Sequence, residues 1–276
     1  IDSPRINSLS RIAQEKEKYD HRFKPFLIKN ESKRFSYSSL TEYINCPFSY
    51  YCDKVLKLSE YEETNSILYG NLAHGVLSKI YEPNFDFDLT FKEELGKIEE
   101  EGISSSTGLV LNLAYPYIKK TYESVKDYDS SLASPSFKTE FSLTKKYGDN
   151  SLYGRVDKSI IFGDDTKYYF IIDYKTGSAK FNKDDVQYGM SMQLPIYYIL
   201  ASNSPIFEKA KPAGLFIATI KDENTFDNDE SKASSLFSLN GVVTTDDIFC
   251  LGDLDYIQGI KLKKDGTLDS NSLKRI

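Results

Sequence analysis

Hydrophobic and polar positions change their rhythm along this chain. Residues 1–34 are polar and charge-rich, the composition of a linker or a peripheral helix. Residues 38–58 and 66–82 read as helices, separated by the acidic turn Glu60-Tyr61-Glu62-Glu63, and a further helix falls within 109–128, before the loop opened by Asp129-Ser130-Ser131. β-Rich runs follow at about 137–146, 152–162 and 167–175. The second and third are joined by Gly163-Asp164-Asp165-Thr166, so they predict a hairpin. Within the third, Tyr168-Tyr169-Phe170-Ile171-Ile172 is apolar on both faces, as in a central strand covered on each side. A helix from Asp184 to Ala201 carries Leu194, Ile196, Ile199 and Leu200 on its apolar face, and Ala213–Ile220 reads as another core strand. From Lys221 onward an acidic, Ser/Asn-rich loop precedes a hairpin around Lys263-Lys264-Asp265-Gly266.

The chemistry concentrates where the hairpin ends. Residues two apart on a strand share a face, so Asp173 and Lys175 project together while Tyr174 points away. A carboxylate at the end of a buried strand is costly unless a cation or hydrogen bonds compensate it. Asp157, on the neighbouring strand, supplies a second carboxylate, and hard divalent cations take such oxygen ligands. The alternative for an isolated Asp-x-Lys is a simple ion pair at a strand end. Gly70 and His74 stand four apart on one helical face, where glycine permits close approach and imidazole can ligate a metal or meet a phosphate. Gln193 and Tyr197 are likewise four apart and present an amide and a phenol from one stripe. Glu140 sits in Phe137–Leu143, an alternating run whose odd positions are mostly apolar, which puts it on the more polar face.

In this order the residues resemble a known family. Val156-Asp157, a strand-length gap and Asp173-Tyr174-Lys175 resemble the PD-(D/E)XK nuclease superfamily, with Val156 where the name has proline. The whole is more specifically similar to the nuclease domain of RecB/AddB-type helicase-nucleases. Ser36-Tyr37 through Tyr50-Tyr51 resembles that family's leading motif, Gly70-Asn71-Leu72-Ala73-His74 its Gly-x-x-x-His helix, Phe137-Lys138-Thr139-Glu140 its acidic strand, and Gln193–Tyr197 its Gln-x-x-x-Tyr motif.

The resemblance implies an α/β, restriction-endonuclease-like core, a mixed central sheet flanked by helices. It places a linker or peripheral segment at 1–35 and the nuclease domain at 36–276, with a catalytic core of about 66–220. Asp157, Asp173 and Lys175 are then the catalytic residues. His74, Asp157, Asp173 and the Tyr174 carbonyl hold Mg²⁺ or Mn²⁺, while Gly70, Gln193 and Tyr197 contact substrate, and Glu140 is a further candidate ligand. The implied reaction is hydrolysis of DNA to a 5′-phosphate and a 3′-hydroxyl, exonucleolytic rather than endonucleolytic, in recombinational repair. Implied partners are DNA, the rest of a larger helicase-nuclease polypeptide and its partner subunit. The alternatives are a nuclease-like module that grips DNA or a subunit without cutting, and a restriction-type endonuclease. Relatives that hold a four-iron cluster use four cysteines, whereas this chain has Cys46, Cys52 and Cys250 only, so no cluster is expected and Cys46 and Cys52 are expected to pack between helices.

Composition adjusts this picture at three points. With 276 residues, 40% of them hydrophobic and 28% charged, the chain can bury a sizeable core, and its first residues are too polar for a signal peptide. No apolar run approaches the roughly 20 residues of a membrane span, and three cysteines form no even disulfide framework, which fits a cytoplasmic location. A net charge of −6 weakens general attraction to DNA and leaves binding to local patches such as Lys145-Lys146 and Lys175 with Lys180 and Lys183. Twenty-one tyrosines and seventeen phenylalanines suit base stacking, but biased composition explains them equally well. No Gly-x-x-x-x-Gly-Lys-Ser/Thr loop is present, so any ATP-driven motor lies outside this chain.

Overall fold

The computed structural model describes residues 33–58, 64–102, 104–177, 181–220, 237–245 and 248–258. Lys180, the 60–63 turn, the acidic loop after Lys221 and the 263–266 hairpin lie outside them. The elements from Arg34 onward belong to one compact unit. In chain order they are β1 (Arg34–Phe35), α1 (Tyr37–Asn45), α2 (Pro47–Tyr50), α3 (Asn65–Ser78), α4 (Phe87–Glu100), α5 (Ser105–Leu113), α6 (Tyr115–Ser130), β2 (Ser136–Tyr147), β3 (Asn150–Phe162), β4 (Tyr168–Thr176), α7 (Lys183–Val186), α8 (Gln193–Ala201), β5 (Lys211–Ile220) and β6 (Phe237–Val243).

The strands form one mixed, six-stranded sheet in the order β1-β3-β4-β5-β6, with β2 paired to β3. β4 is central: antiparallel to β3 and parallel to β5, with Tyr169 through Tyr174 buried. A parallel neighbour requires a crossover, and the segment between β4 and β5 supplies it, carrying α8 onto one face of the sheet. There Leu194, Tyr197 and Leu200 pack with Ile171 and Leu215, joined at the margin by Tyr37 and Leu40 of α1. The opposite face is covered by α3–α6, whose Leu72, Val76, Phe91, Ile118 and Val125 meet Ile160, Phe170, Ile172 and Phe216. The α/β class and the hairpin therefore match the sequence expectation.

Several helices are shorter than the pattern suggested, and each break has a local cause. The 38–58 segment is α1, α2 and a π-helical turn at Tyr51–Val55, because Cys46, which precedes Pro47, is held extended at φ −156. Cys46 is exposed and its Sγ accepts the Ser49 N–H at 3.4 Å, so it caps α2 and does not pack between helices. The 109–128 helix resolves into α5 and α6, parted at Ala114 ahead of Pro116. The expected helix from Asp184 to Ala201 is interrupted between α7 and α8, where Gly189 (φ +77) and Ser191 (φ +51) adopt left-handed backbone. α4 and β6 were not anticipated.

One irregularity in β2 and β3 prepares the site. Phe137 packs on the α3–α6 layer and the Thr139 hydroxyl donates to the Ser78 carbonyl of α3 at 2.7 Å, yet Phe141 and Leu143 pack on the α8 layer. All four numbers are odd, so a regular strand would point them one way. β3 does the same: Val156 faces α8, whereas Lys158, Ile160 and Phe162 face α3–α6. The pairing register is unchanged across this point, Thr139↔Lys158 on one side and Phe141↔Val156 on the other. The two-stranded ribbon thus turns over at Glu140 and Asp157. Glu140 takes the strain with φ +49, a left-handed conformation that costs a non-glycine residue roughly 1–3 kcal/mol.

Candidate active site

The site forms where the β3–β4 ladder opens. Pairing runs from Phe162↔Tyr168 to Lys158↔Ile172 and stops before Asp157 and Asp173. The next donor on β4, the Tyr174 N–H, finds no strand carbonyl and donates instead to Asp157 Oδ2 at 2.7 Å. A carboxylate thereby takes over a ladder position, which fixes Asp157 with only 9% of its surface exposed.

Asp173 is held from the α8 side. Gln193 Nε2 donates to its Oδ1 at 2.6 Å, and the Tyr197 hydroxyl lies 3.1 Å from the same oxygen and 2.7 Å from the Arg155 carbonyl. One phenolic proton serves one of these acceptors at a time, so the Gln193 amide secures the carboxylate in either case. Lys175 Nζ stands 2.8 Å from Asp173 Oδ2 as an ion pair. It is out of line for a hydrogen bond, so Oδ2 is buried without a donor. Tyr197 approaches because Gly154 has no side chain: a Cβ there would meet the tyrosine ring at 2.7 Å.

α3 approaches from the other layer. A Cβ on Gly70 would lie 3.3 Å from Thr176 Oγ1, so this glycine lets the helix settle on the end of β4. One turn later His74 Nδ1 is 3.5 Å from Asp157 Oδ2, and its ring stands edge-on to Tyr174, with centroids 6.0 Å apart. Glu140 closes the group: one ligand atom each from His74, Glu140 and Asp157 lie within 4.8 Å of one another. Arg155 Nε meets Glu140 Oε2 at 2.6 Å, although the arginine side chain is 69% exposed.

The electrostatics suit a cation. Burial, with the Asp173 charge second, pushes the Asp157 carboxyl up to about 8. Burial also raises Glu140 and lowers His74, leaving a neutral imidazole whose lone pair is available. Burial raises Tyr197, which keeps its phenolic proton. Buried oxygens that resist ionisation on their own, an imidazole beside them and a carboxylate oxygen lacking a donor are a donor set that fits Mg²⁺ or Mn²⁺.

Asp157, Asp173, Lys175, His74, Gln193, Tyr197 and Gly70 thus converge on the end of the hairpin as the sequence spacing led one to expect. Gln193 and Tyr197, anticipated at a phosphate, direct their polar groups to Asp173. Tyr174 contributes its N–H to Asp157 while its buried ring faces the α3–α6 layer. Glu140, placed by alternation on a merely polar face, is brought into the cluster because the ribbon turns over. Arg155 and the glycine before it were passed over, although the Gly154-Arg155-Val156-Asp157 run adjoins the acidic residue. Also unanticipated is the pair behind the site: fully buried Lys158 Nζ meets Asp129 Oδ1 at 2.6 Å, and the Tyr81 hydroxyl donates to the other oxygen.

Comparison with known proteins agrees with this geometry. A family model described as the PD-(D/E)XK nuclease superfamily matches residues 34–251. One subunit of the ATP-dependent helicase/deoxyribonuclease of Clostridium acetobutylicum is 28% identical over 87% of this chain and 25% of its own length. The corresponding subunit from Clostridioides difficile is 26% identical over 70% of the chain and 20% of its own length. The chain therefore spans a quarter or less of these relatives. A solved Eubacterium rectale protein, assigned provisionally as an exonuclease, aligns with 78% of the chain and 73% of its own at 15% identity and a TM-score of 0.43.

Proposed function

The chain belongs to the PD-(D/E)XK nuclease superfamily, and on that premise we propose that it is the DNA-cleaving domain of a larger helicase-nuclease polypeptide, hydrolysing phosphodiester bonds with Mg²⁺ or Mn²⁺. The observation that carries this reading is the convergence of His74, Glu140 and Asp157 ligand atoms within 4.8 Å, beside an Asp173–Lys175 pair. In that reading His74, Asp157, Asp173, Glu140 and the Tyr174 carbonyl hold the cation. The chemistry a divalent cation supplies in such a site is acidification of bound water and neutralisation of charge developing on the phosphate.

The protein's own groups do the rest. The Tyr174 N–H keeps Asp157 aimed at the fork, and Gln193 and Tyr197 keep Asp173 in one orientation. Asp173 in turn steadies the Lys175 ammonium at the mouth of the site, where it orients the attacking water and offsets negative charge on the phosphate. Burial of His74 keeps its imidazole neutral and able to donate a lone pair. The relatives' names supply the setting: recombinational DNA repair in the cytoplasm, with the motor and the partner subunit outside this chain. No described helix is long and apolar enough to cross a membrane.

The test is incubation of linear and circular DNA, single- and double-stranded, with Mg²⁺ or Mn²⁺ and with chelator. Loss of linear substrate from its ends supports the exonuclease reading. Nicking of circles points to an endonuclease. Absence of cleavage under every condition refutes the enzymatic reading and leaves a DNA- or subunit-binding module.

A further inference from the structure

The carboxylates of the site are not balanced equally. Asp173 faces Lys175 on its own strand, whereas Glu140, on strained backbone, faces a guanidinium from the neighbouring strand. Arg155 stands two residues before Asp157, and its backbone carbonyl is pinned by the Tyr197 hydroxyl at 2.7 Å. Its main chain is therefore fixed to the site while its long side chain, 69% exposed, remains at the rim. The positive charge also reaches His74, whose affinity for a proton it reduces.

A divalent cation among His74, Glu140 and Asp157 would stand a few ångströms from this guanidinium, and two cations at that separation repel. The natural destination for a displaced arginine is an anion at the same rim. A planar guanidinium suits phosphate oxygens in a way that a lysine ammonium does not. We propose that Arg155 is a two-position residue: counter-ion of Glu140 while the metal is absent, and ligand of the DNA phosphate once the metal is bound. The inference rests on the nuclease reading above and adds a substrate contact and a reason for ordered assembly. Cation first and DNA second becomes the favoured sequence, because the cation releases the side chain that grips the phosphate.

The test uses the full 276-residue chain with Arg155→Gln and Arg155→Lys, their folding checked by circular dichroism. Mn²⁺ affinity is measured by calorimetry, and binding of a labelled single-stranded oligonucleotide by fluorescence anisotropy in EDTA and in Ca²⁺. Removal of the competing charge in Arg155→Gln tightens Mn²⁺ binding by about fivefold. The same variant loses oligonucleotide affinity by roughly tenfold in Ca²⁺, with its salt slope reduced by about one, and changes little in EDTA. Arg155→Lys retains the wild-type Mn²⁺ affinity and recovers part of the oligonucleotide binding.

Weaker Mn²⁺ binding in Arg155→Gln would mean that arginine props Glu140 as a ligand, and the proposal fails. Unchanged metal and oligonucleotide binding would make the contact an ordinary surface ion pair, and it also fails. If wild type itself binds no Mn²⁺ and cuts no DNA, the nuclease reading falls and takes this one with it. Metal-dependent cleavage by wild type with unaltered Arg155 variants refutes this inference alone.

Discussion

Asp157→Asn should stabilise the metal-free protein. The folded chain holds the Asp157 proton until about pH 8, whereas an unfolded chain releases it near pH ~3.9. A carboxyl raised on folding contributes most below its unfolded value, and that stability is lost as pH rises through about 8. By pH 8.5 a mismatch of roughly four units at ~1.4 kcal/mol each sets an upper bound near 5 kcal/mol. Asp173 shares the interaction, which brings the figure to about 2–4 kcal/mol. Asparagine removes the charge and retains an oxygen for the Tyr174 N–H, which Asp157 accepts at 2.7 Å. In EDTA at pH 8.5 the variant should melt about 5–10 °C above wild type. By pH 5 the gap should narrow to roughly a third. Millimolar Mn²⁺ should raise wild type and leave the variant nearly unmoved, since it has lost a ligand. Thermal melts followed by circular dichroism at the two pH values decide the matter. An asparagine variant that melts at or below wild type at pH 8.5 in EDTA, or a gap that is constant with pH, would refute the reasoning.

Asp173→Ala should abolish metal-dependent DNA cleavage while leaving the fold intact, because it removes a candidate ligand and the partner of Lys175; near wild-type cleavage by a folded variant sinks the assignment. Gly154→Ala forces a methyl group to 2.7 Å from Tyr197 Cε1 and 3.1 Å from Leu200 Cδ1. Overpacking of that kind costs about 1–3 kcal/mol, so the melting temperature should drop by several degrees and cleavage should fall with it, whereas an unchanged melt would show that α8 moves freely. Lys158→Ala strands Asp129 without its cation in the interior and should cost about 3–5 kcal/mol in urea unfolding. Lys158→Met with Asp129→Asn should recover most of that loss, and a neutral single variant would contradict the buried pair.

The parts of this protein most easily read from sequence are those governed by period and turn chemistry. Tyr168–Ile172 announced a central strand because a doubly covered strand has no reason to alternate, and Gly163–Thr166 announced the hairpin because few other sequences reverse a chain there. Asp157, Asp173 and Lys175 were visible because charge at the end of such a strand demands a reason. Glu140 was obscured by the rule that found the others. Phe137, Phe141 and Leu143 keep perfect alternation in number while the layer they face changes, and nothing in the residue types marks the reversal. The interruption before α8 was hidden similarly, since Met190 and Met192 continue an apolar pattern that the backbone at Gly189 and Ser191 does not follow. α4 escaped notice because Lys92, Glu93, Glu94, Lys97, Glu99 and Glu100 mask a buried stripe of Phe87, Phe91, Leu95 and Ile98.

The overturned ribbon also divides labour along β2 and β3. Residues 136–139 and 158–162 anchor the ribbon to the α3–α6 layer and to β4, while the remainder forms an arm that closes at Tyr147 and Asn150. Any residue added to one strand of that arm shifts the other out of step and rotates Glu140 away from Asp157, but matched additions on both strands leave every carboxylate where it stands. The arm is accordingly a modular handle: its length is free in symmetric increments, and its tip around Gly148 is the place to graft a label, a cross-linker or a new binding loop without touching the chemistry at its root.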